Sequence, residues 1–173
     1  NIPRQELDRK IREAQSAHST KRSAIDQTQV SEVSGSQSLP KEWNFLSPPQ
    51  SANEIGRLNG YRILKRLGEG GMGLVFEAVD LHLERRVALK VMKPEVAKKE
   101  TFRQRFLREA RVAAKVEHDH ICPIFQVGEE NGVPFIAMPF LKGVPLDEAI
   151  KWDRQSPIEA VIRIGREIAW GLD

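Results

Sequence analysis

Between Tyr61 and Met92 apolar and polar residues alternate in three short runs, Tyr61–Leu67, Leu74–Asp80 and Arg86–Met92. In the second run Leu74, Phe76 and Ala78 fall against Val75, Glu77 and Val79; in the third, Val87, Leu89 and Val91 fall against Ala88 and Lys90. A period of two puts each set on its own face, the mark of a half-buried strand. Ile121–Gly128 and Val133–Met138 read as two further strands in a hairpin around Glu129-Glu130-Asn131-Gly132, because Asn-Gly between apolar runs is a strong turn signal. Five strands with one helix after the third predict an α+β fold, an antiparallel sheet with a helix on it.

That helix is expected over Thr101–Glu117, opened by a Thr101-x-x-Gln104 capping box. One stripe reads Phe102, Phe106, Glu109, Ala113 and Val116. A carboxylate in an apolar stripe protonates or finds a cation, and Lys90, on the preceding strand beside Ala88, is the expected partner. Ala88 and Lys90 on one face suit a flat apolar ring lying beside a phosphate. The remaining helix faces carry Arg103, Arg105, Arg108, Arg111 and Lys115, which read as a solvated surface able to receive a phosphorylated loop.

Past Met138, Pro139–Gly143 reads as an irregular connector and Pro145–Trp152 as a short helix. Ser156-Pro157-Ile158-Glu159 is a second capping box, with proline at the first helical position. The helix it opens has a broad apolar face through Ile158, Val161, Ile162, Ile168 and Leu172. That face has no partner in the sequence, so a further subdomain is expected beyond Asp173.

The upstream segment is different. Residues 3–14 read as a short charged helix, and 15–40, polar and without aromatics, as a disordered linker. Trp43-Asn44-Phe45-Leu46 is either a docking element or a linker anchor. The net charge is +3 over 173 residues, and residues 1–56 hold seven basic (4, 9, 10, 12, 21, 22, 41) and seven acidic ones (6, 8, 13, 26, 32, 42, 54), so the excess lies in 57–173. So mild an excess does not point to nucleic acid. A single cysteine, Cys122, rules out an internal disulfide and fits a reducing compartment. The longest apolar run, Val133–Leu141, is too short to span a bilayer. His118-Asp119-His120-Ile121-Cys122 is too tightly spaced for paired zinc ligands, so no metal site is assigned.

Between the first two strands stand Gly68, Gly70 and Gly73, in G-x-G-x-x-G spacing and followed by Val75. Glycines at this density let backbone N–H groups approach a polyanion. In a dinucleotide-binding fold the last glycine opens a helix and an acidic residue follows about 20 positions on. Here a strand follows, and then Lys90. The glycines therefore form the tip of an antiparallel hairpin.

These residues resemble the N-terminal lobe, hinge and first C-lobe helices of eukaryotic-like (Hanks-type) bacterial serine/threonine protein kinases. The resemblance rests on Gly68-x-Gly70-x-x-Gly73-x-Val75, Val87-Ala88-Leu89-Lys90, Arg108-Glu109-Ala110, His118-x-x-Ile121 and Met138 ahead of a hinge. It implies a tail over 1–56, an N-lobe over 57–138, a hinge over 139–145 and the start of a C-lobe over 146–173. It implies a loop of Gly68, Glu69, Gly70, Gly71, Met72 and Gly73 over the phosphates of ATP, with Lys90, held by Glu109, on the α- and β-phosphates. Leu67, Val75 and Ala88 would sandwich the adenine, Met138 would guard the back of the pocket, and Pro139 and Leu141 would offer backbone groups to the base. At the position where many relatives hold the ribose with a polar side chain this chain has Pro145, so no ribose residue is named. The implied activity is Mg2+-assisted transfer of the ATP γ-phosphate to Ser or Thr hydroxyls of proteins, in the cytoplasm. The alternative is a pseudokinase or nucleotide-binding scaffold. Neither a His-Arg-Asp nor an Asp-Phe-Gly motif occurs in the sequence. The base and the metal ligands of the family are therefore expected beyond Asp173, and the chain alone is not expected to catalyse transfer.

Overall fold

The computed structural model describes residues 43–152 and 157–172. The expected helix at 3–14, the linker at 15–40 and the cap at Ser156 lie outside the described residues. The chain divides into two compact units, one of Ser38–Leu141 with Ile162–Asp173, the other including Lys142–Val161.

The first unit is built on an antiparallel sheet of six strands in the order β1-β2-β3-β4-β6-β5. They are β1 Gly56–Leu58, β2 Tyr61–Glu69, β3 Gly73–Asp80, β4 Arg85–Met92, β5 Gln126–Glu130 and β6 Val133–Pro139. The sequence pattern predicts five. The sixth, β1, is too short to show a period, but Asn59-Gly60 marks its turn into β2. Both turn residues have positive φ (43° and 82°), as do Asn131 and Gly132 between β5 and β6 (53° and 76°). Left-handed backbone at both central positions matches the twist of paired strands, and Asn-Gly adopts it readily.

One face of the sheet forms the core. Ile63, Phe76, Ala78, Val87, Leu89, Val91, Phe135 and Ala137 are fully buried there. The segment before β1 completes it. Trp43 meets Phe76 edge-on at 5.6 Å, Phe45 lies 6.5 Å from the same ring, and Phe45 and Leu46 are buried. Ser47 and Arg57 exchange backbone hydrogen bonds at 2.8 and 2.9 Å, which extends the sheet edge. Of the two readings of Trp43–Leu46, docking is the one found. Trp43, Phe45, Leu46 and residues 54–56 thus pack with the sheet, within the stretch expected as tail, while 47–53 are exposed.

After β4 come α1 Pro94–Ala97, which the sequence reading missed, and α2 Glu100–Ala113. The expected Thr101 capping box does not form. The helix begins one residue earlier, its N-cap Lys99 makes no side-chain cap, and Gln104 Nε2 donates to Glu100 Oε1 at 2.6 Å. The expected buried stripe is also displaced. Ala110 is buried and Arg103, Phe106 and Leu107 half-buried, whereas Phe102, Glu109, Ala113 and Val116 are exposed. Arg103, on the half-buried face, reaches across to Glu129 of β5 at 2.5 Å.

His118–Cys122 form a turn closed by Ile121 N–H donating to the His118 carbonyl at 3.0 Å. His120 stacks on Trp170 at 6.0 Å. In the second unit α3 runs over Leu146–Trp152; α4, Ile158–Leu172, begins there and ends in the first unit. Its apolar residues Ile158, Ile162, Ile168 and Leu172 are exposed.

Candidate functional site

Strand register decides which side chains share a face. In the β3–β4 pair Val75 lies opposite Lys90 and Glu77 opposite Ala88; in the β4–β6 pair Ala88 lies opposite Met138 and Lys90 opposite Ile136. Opposed residues of an antiparallel pair project to the same side. Val75, Ala88, Lys90 and Met138 therefore line the face turned away from the core; alternation in the sequence predicts this for Ala88 and Lys90, and Val75 and Met138 join them by register. Lys90 is exposed at the end of this apolar shelf nearest the glycine hairpin.

The hairpin joins β2 to β3, with Gly68 opposite Val75 and Gly70 N–H donating to the Gly73 carbonyl at 2.9 Å. Its glycines are needed for different reasons. A Cβ on Gly73 would stand 2.5 Å from the Val91 carbonyl oxygen, so the fold itself demands glycine there. Cβ atoms on Gly68, Gly70 and Gly71 would meet nothing within 4 Å. Packing does not require glycine at those three, which leaves their backbone open to a ligand. Leu67 sits at a register irregularity between Arg66 and Gly68, and Met72 is exposed at the tip.

Two contacts outside the sequence reading hold the hairpin to the end of β4. Lys93 N–H donates to the Met72 carbonyl at 3.1 Å, and Lys93 Nζ meets Glu69 Oε1 at 2.6 Å. The Lys93 hydrogen bond and charge hold the Glu69 carboxyl below its ordinary pKa.

The expected Lys90–Glu109 pair is not formed. Glu109 is exposed and accepts from Arg105 Nε at 2.7 Å, one turn back on α2. The rotation that buries Ala110 carries Glu109 to the solvent side. Both side chains are exposed and their attraction is screened by water, so Arg105 holds Glu109 weakly.

Beyond β6, Phe140 is half-buried and Leu141 exposed. A network missed at the sequence level converges here. Arg86 bonds the buried carboxylate of Glu77 and places its guanidinium 5.2 Å from the centre of the Phe140 ring. Lys65 Nζ lies 3.3 Å from the other Glu77 oxygen. The signal available in the sequence was the Arg85-Arg86 doublet, one hairpin after Glu77 and Asp80.

The site is thus an apolar shelf with an ammonium at one end, under a hairpin of open backbone. That arrangement can hold a flat apolar ring joined to a polyanion. No group of three or more His, Cys, Asp or Glu among the described residues is placed to hold a metal ion.

Comparison with known proteins gives the class to which this fold belongs. The protein kinase domain family matches residues 61–173, and the chain belongs to that family. It is 38% identical over 115 residues to the probable serine/threonine-protein kinase pknA2 of Bifidobacterium longum, a match covering 65% of this chain and 15% of that protein. It is 40% identical over 126 residues to the serine/threonine-protein kinase PknD of Mycobacterium tuberculosis, covering 72% and 18%. The crystal structure of the M. tuberculosis PknI kinase domain superposes with a TM-score of 0.58 at 33% identity, covering 68% of this chain and 48% of that one. The chain thus spans less than a fifth of the length of these two curated relatives and about half of that kinase domain.

Proposed function

We propose that the chain is the ATP-binding part of a serine/threonine protein kinase, which in its full-length form transfers the γ-phosphate of ATP to Ser or Thr hydroxyls of proteins in the cytoplasm. Val75, Ala88 and Met138 form the adenine shelf with Leu67. The backbone around Gly68, Gly70 and Gly71 faces the phosphates. Lys90 neutralises the α- and β-phosphates, and Pro139 and Leu141 present backbone groups to the base. Glu109 exchanges Arg105 for Lys90 when nucleotide fills the site. The pair given up is exposed and screened by water, so it returns less than a partly desolvated partner does. Mg2+ is the accompanying cation, held by residues outside those described.

The observation that carries this reading is the common face of Val75, Ala88, Lys90 and Met138 beneath a hairpin with three sterically unneeded glycines. Its test is autophosphorylation of the full-length protein with radiolabelled ATP. Lys90→Met is expected to reduce incorporation at least a hundredfold, which corresponds to about 2.7 kcal/mol, with an unchanged melting temperature. Full activity in Lys90→Met would refute the role of Lys90.

A further inference from the structure

Arg85 and Arg86 are built alike and face opposite ways. Each pairs with an acid of β3 and covers an aromatic ring that lies beyond the strand pair. Arg85 meets Asp80 at 3.7 Å and sits 3.6 Å from the centre of the Phe125 ring, just ahead of β5. Arg86 pairs with Glu77 and faces Phe140, just past β6. Successive strand residues alternate sides. Arg85 is opposite Asp80 on the core side, and Arg86 is opposite Val79 on the side of Glu77, Ala88 and Met138. The Arg86 network thus belongs to the ligand face, and its ring partner follows Pro139 in the segment taken above to receive the base.

We propose that Glu77, Arg86 and Phe140 form a clamp that fixes the hinge backbone against the adenine shelf, making Arg86 a positioning residue for nucleotide binding. The proposal rests on the nucleotide reading of this face. Glu77 is 1% exposed and fixes the guanidinium at its inner end. Strand pairing places Val87 opposite Pro139, so Arg86 stands beside Phe140 by register as well as by contact. Among the described residues no strand pairs with the chain beyond β6, and Leu141 is exposed. The ring contact is therefore what orients the backbone at Phe140 and Leu141. A guanidinium held by a buried carboxylate loses little freedom in making that contact, which favours the cation–π interaction.

ADP binding to the full-length protein, by isothermal titration alongside the melting temperature, tests the clamp. Arg86→Gln and Phe140→Leu are each expected to weaken ADP about three- to tenfold, and the double variant no further than either alone, because both break one contact. Phe140→Tyr keeps the ring and is expected to bind as the unaltered protein does. Arg85→Gln is the control: it removes the same chemistry from the core side, lowers the melting temperature and leaves ADP affinity within about twofold. If Arg86→Gln does not fold, the contrast between Phe140→Leu and Phe140→Tyr decides. Unchanged ADP affinity in Phe140→Leu, or an equal loss in Arg85→Gln, overturns the clamp. Failure of the unaltered protein to bind ADP overturns the nucleotide reading itself.

Discussion

Among single residues the glycines separate structure from binding most sharply. Gly73 is held by the Val91 carbonyl 2.5 Å from where a Cβ would stand, whereas Gly68 borders open space. Gly73→Ala is therefore expected to cost about 1–3 kcal/mol in denaturant unfolding, since strand β4 must move. Gly68→Ala is expected to stay within about 0.5 kcal/mol of the unaltered protein and to weaken ADP binding instead. A large stability loss in Gly68→Ala would show that packing, not ligand access, sets its identity. The motif spacing alone gives the three glycines one role; only the position of Val91 shows that one of them is a packing residue.

At the scale of elements, the alternating strands were legible because period two survives in a two-faced sheet. The setting of Val87, Leu89 and Val91 against Ala88 and Lys90 is found as read. The orientation of α2 was not legible. The half-buried face includes Arg103, which meets Glu129 twenty-six positions away, a contact that local periodicity does not encode. The docked segment before β1 escaped for a related reason, because Trp43, Phe45 and Leu46 gain their meaning from Phe76. A charged contact helps to hold that segment. Burial alone would raise the Glu54 pKa, but the Gln50 N–H and the Arg57 guanidinium outweigh it and hold the carboxyl below its ordinary value of 4.5. With a depressed folded pKa, this stabilisation is present above about pH 4.5 and lost as the pH falls through the folded value. Melting curves between about pH 6 and 3 are expected to show Glu54→Gln losing less stability on acidification than the unaltered protein. Parallel curves would show that Glu54 contributes nothing in this range.

For the molecule as a whole, the fold class and the common face of Ala88 and Lys90 were readable in advance from alternation, whereas Val75 and Met138 were named only through the resemblance. The partner of Glu109 and the Glu77–Arg86–Phe140 network were not readable, since side-chain pairing depends on helix rotation and on diagonal neighbours across strands. The exposed apolar residues of α4 and the short span against the curated relatives agree with a reading in which this chain supplies the nucleotide-facing sheet of a larger kinase. That reading makes the outward sheet face, not the helices, the place where nucleotide binds. Amide chemical shifts followed while ADP is titrated into the isotope-labelled full-length protein test this most directly. The account predicts saturable shifts concentrated at Gly68, Gly70, Val75, Ala88, Lys90 and Leu141, with the core-side Leu89 and Val91 moving little. Saturable shifts centred on the arginine face of α2, or none on this sheet face, would contradict it.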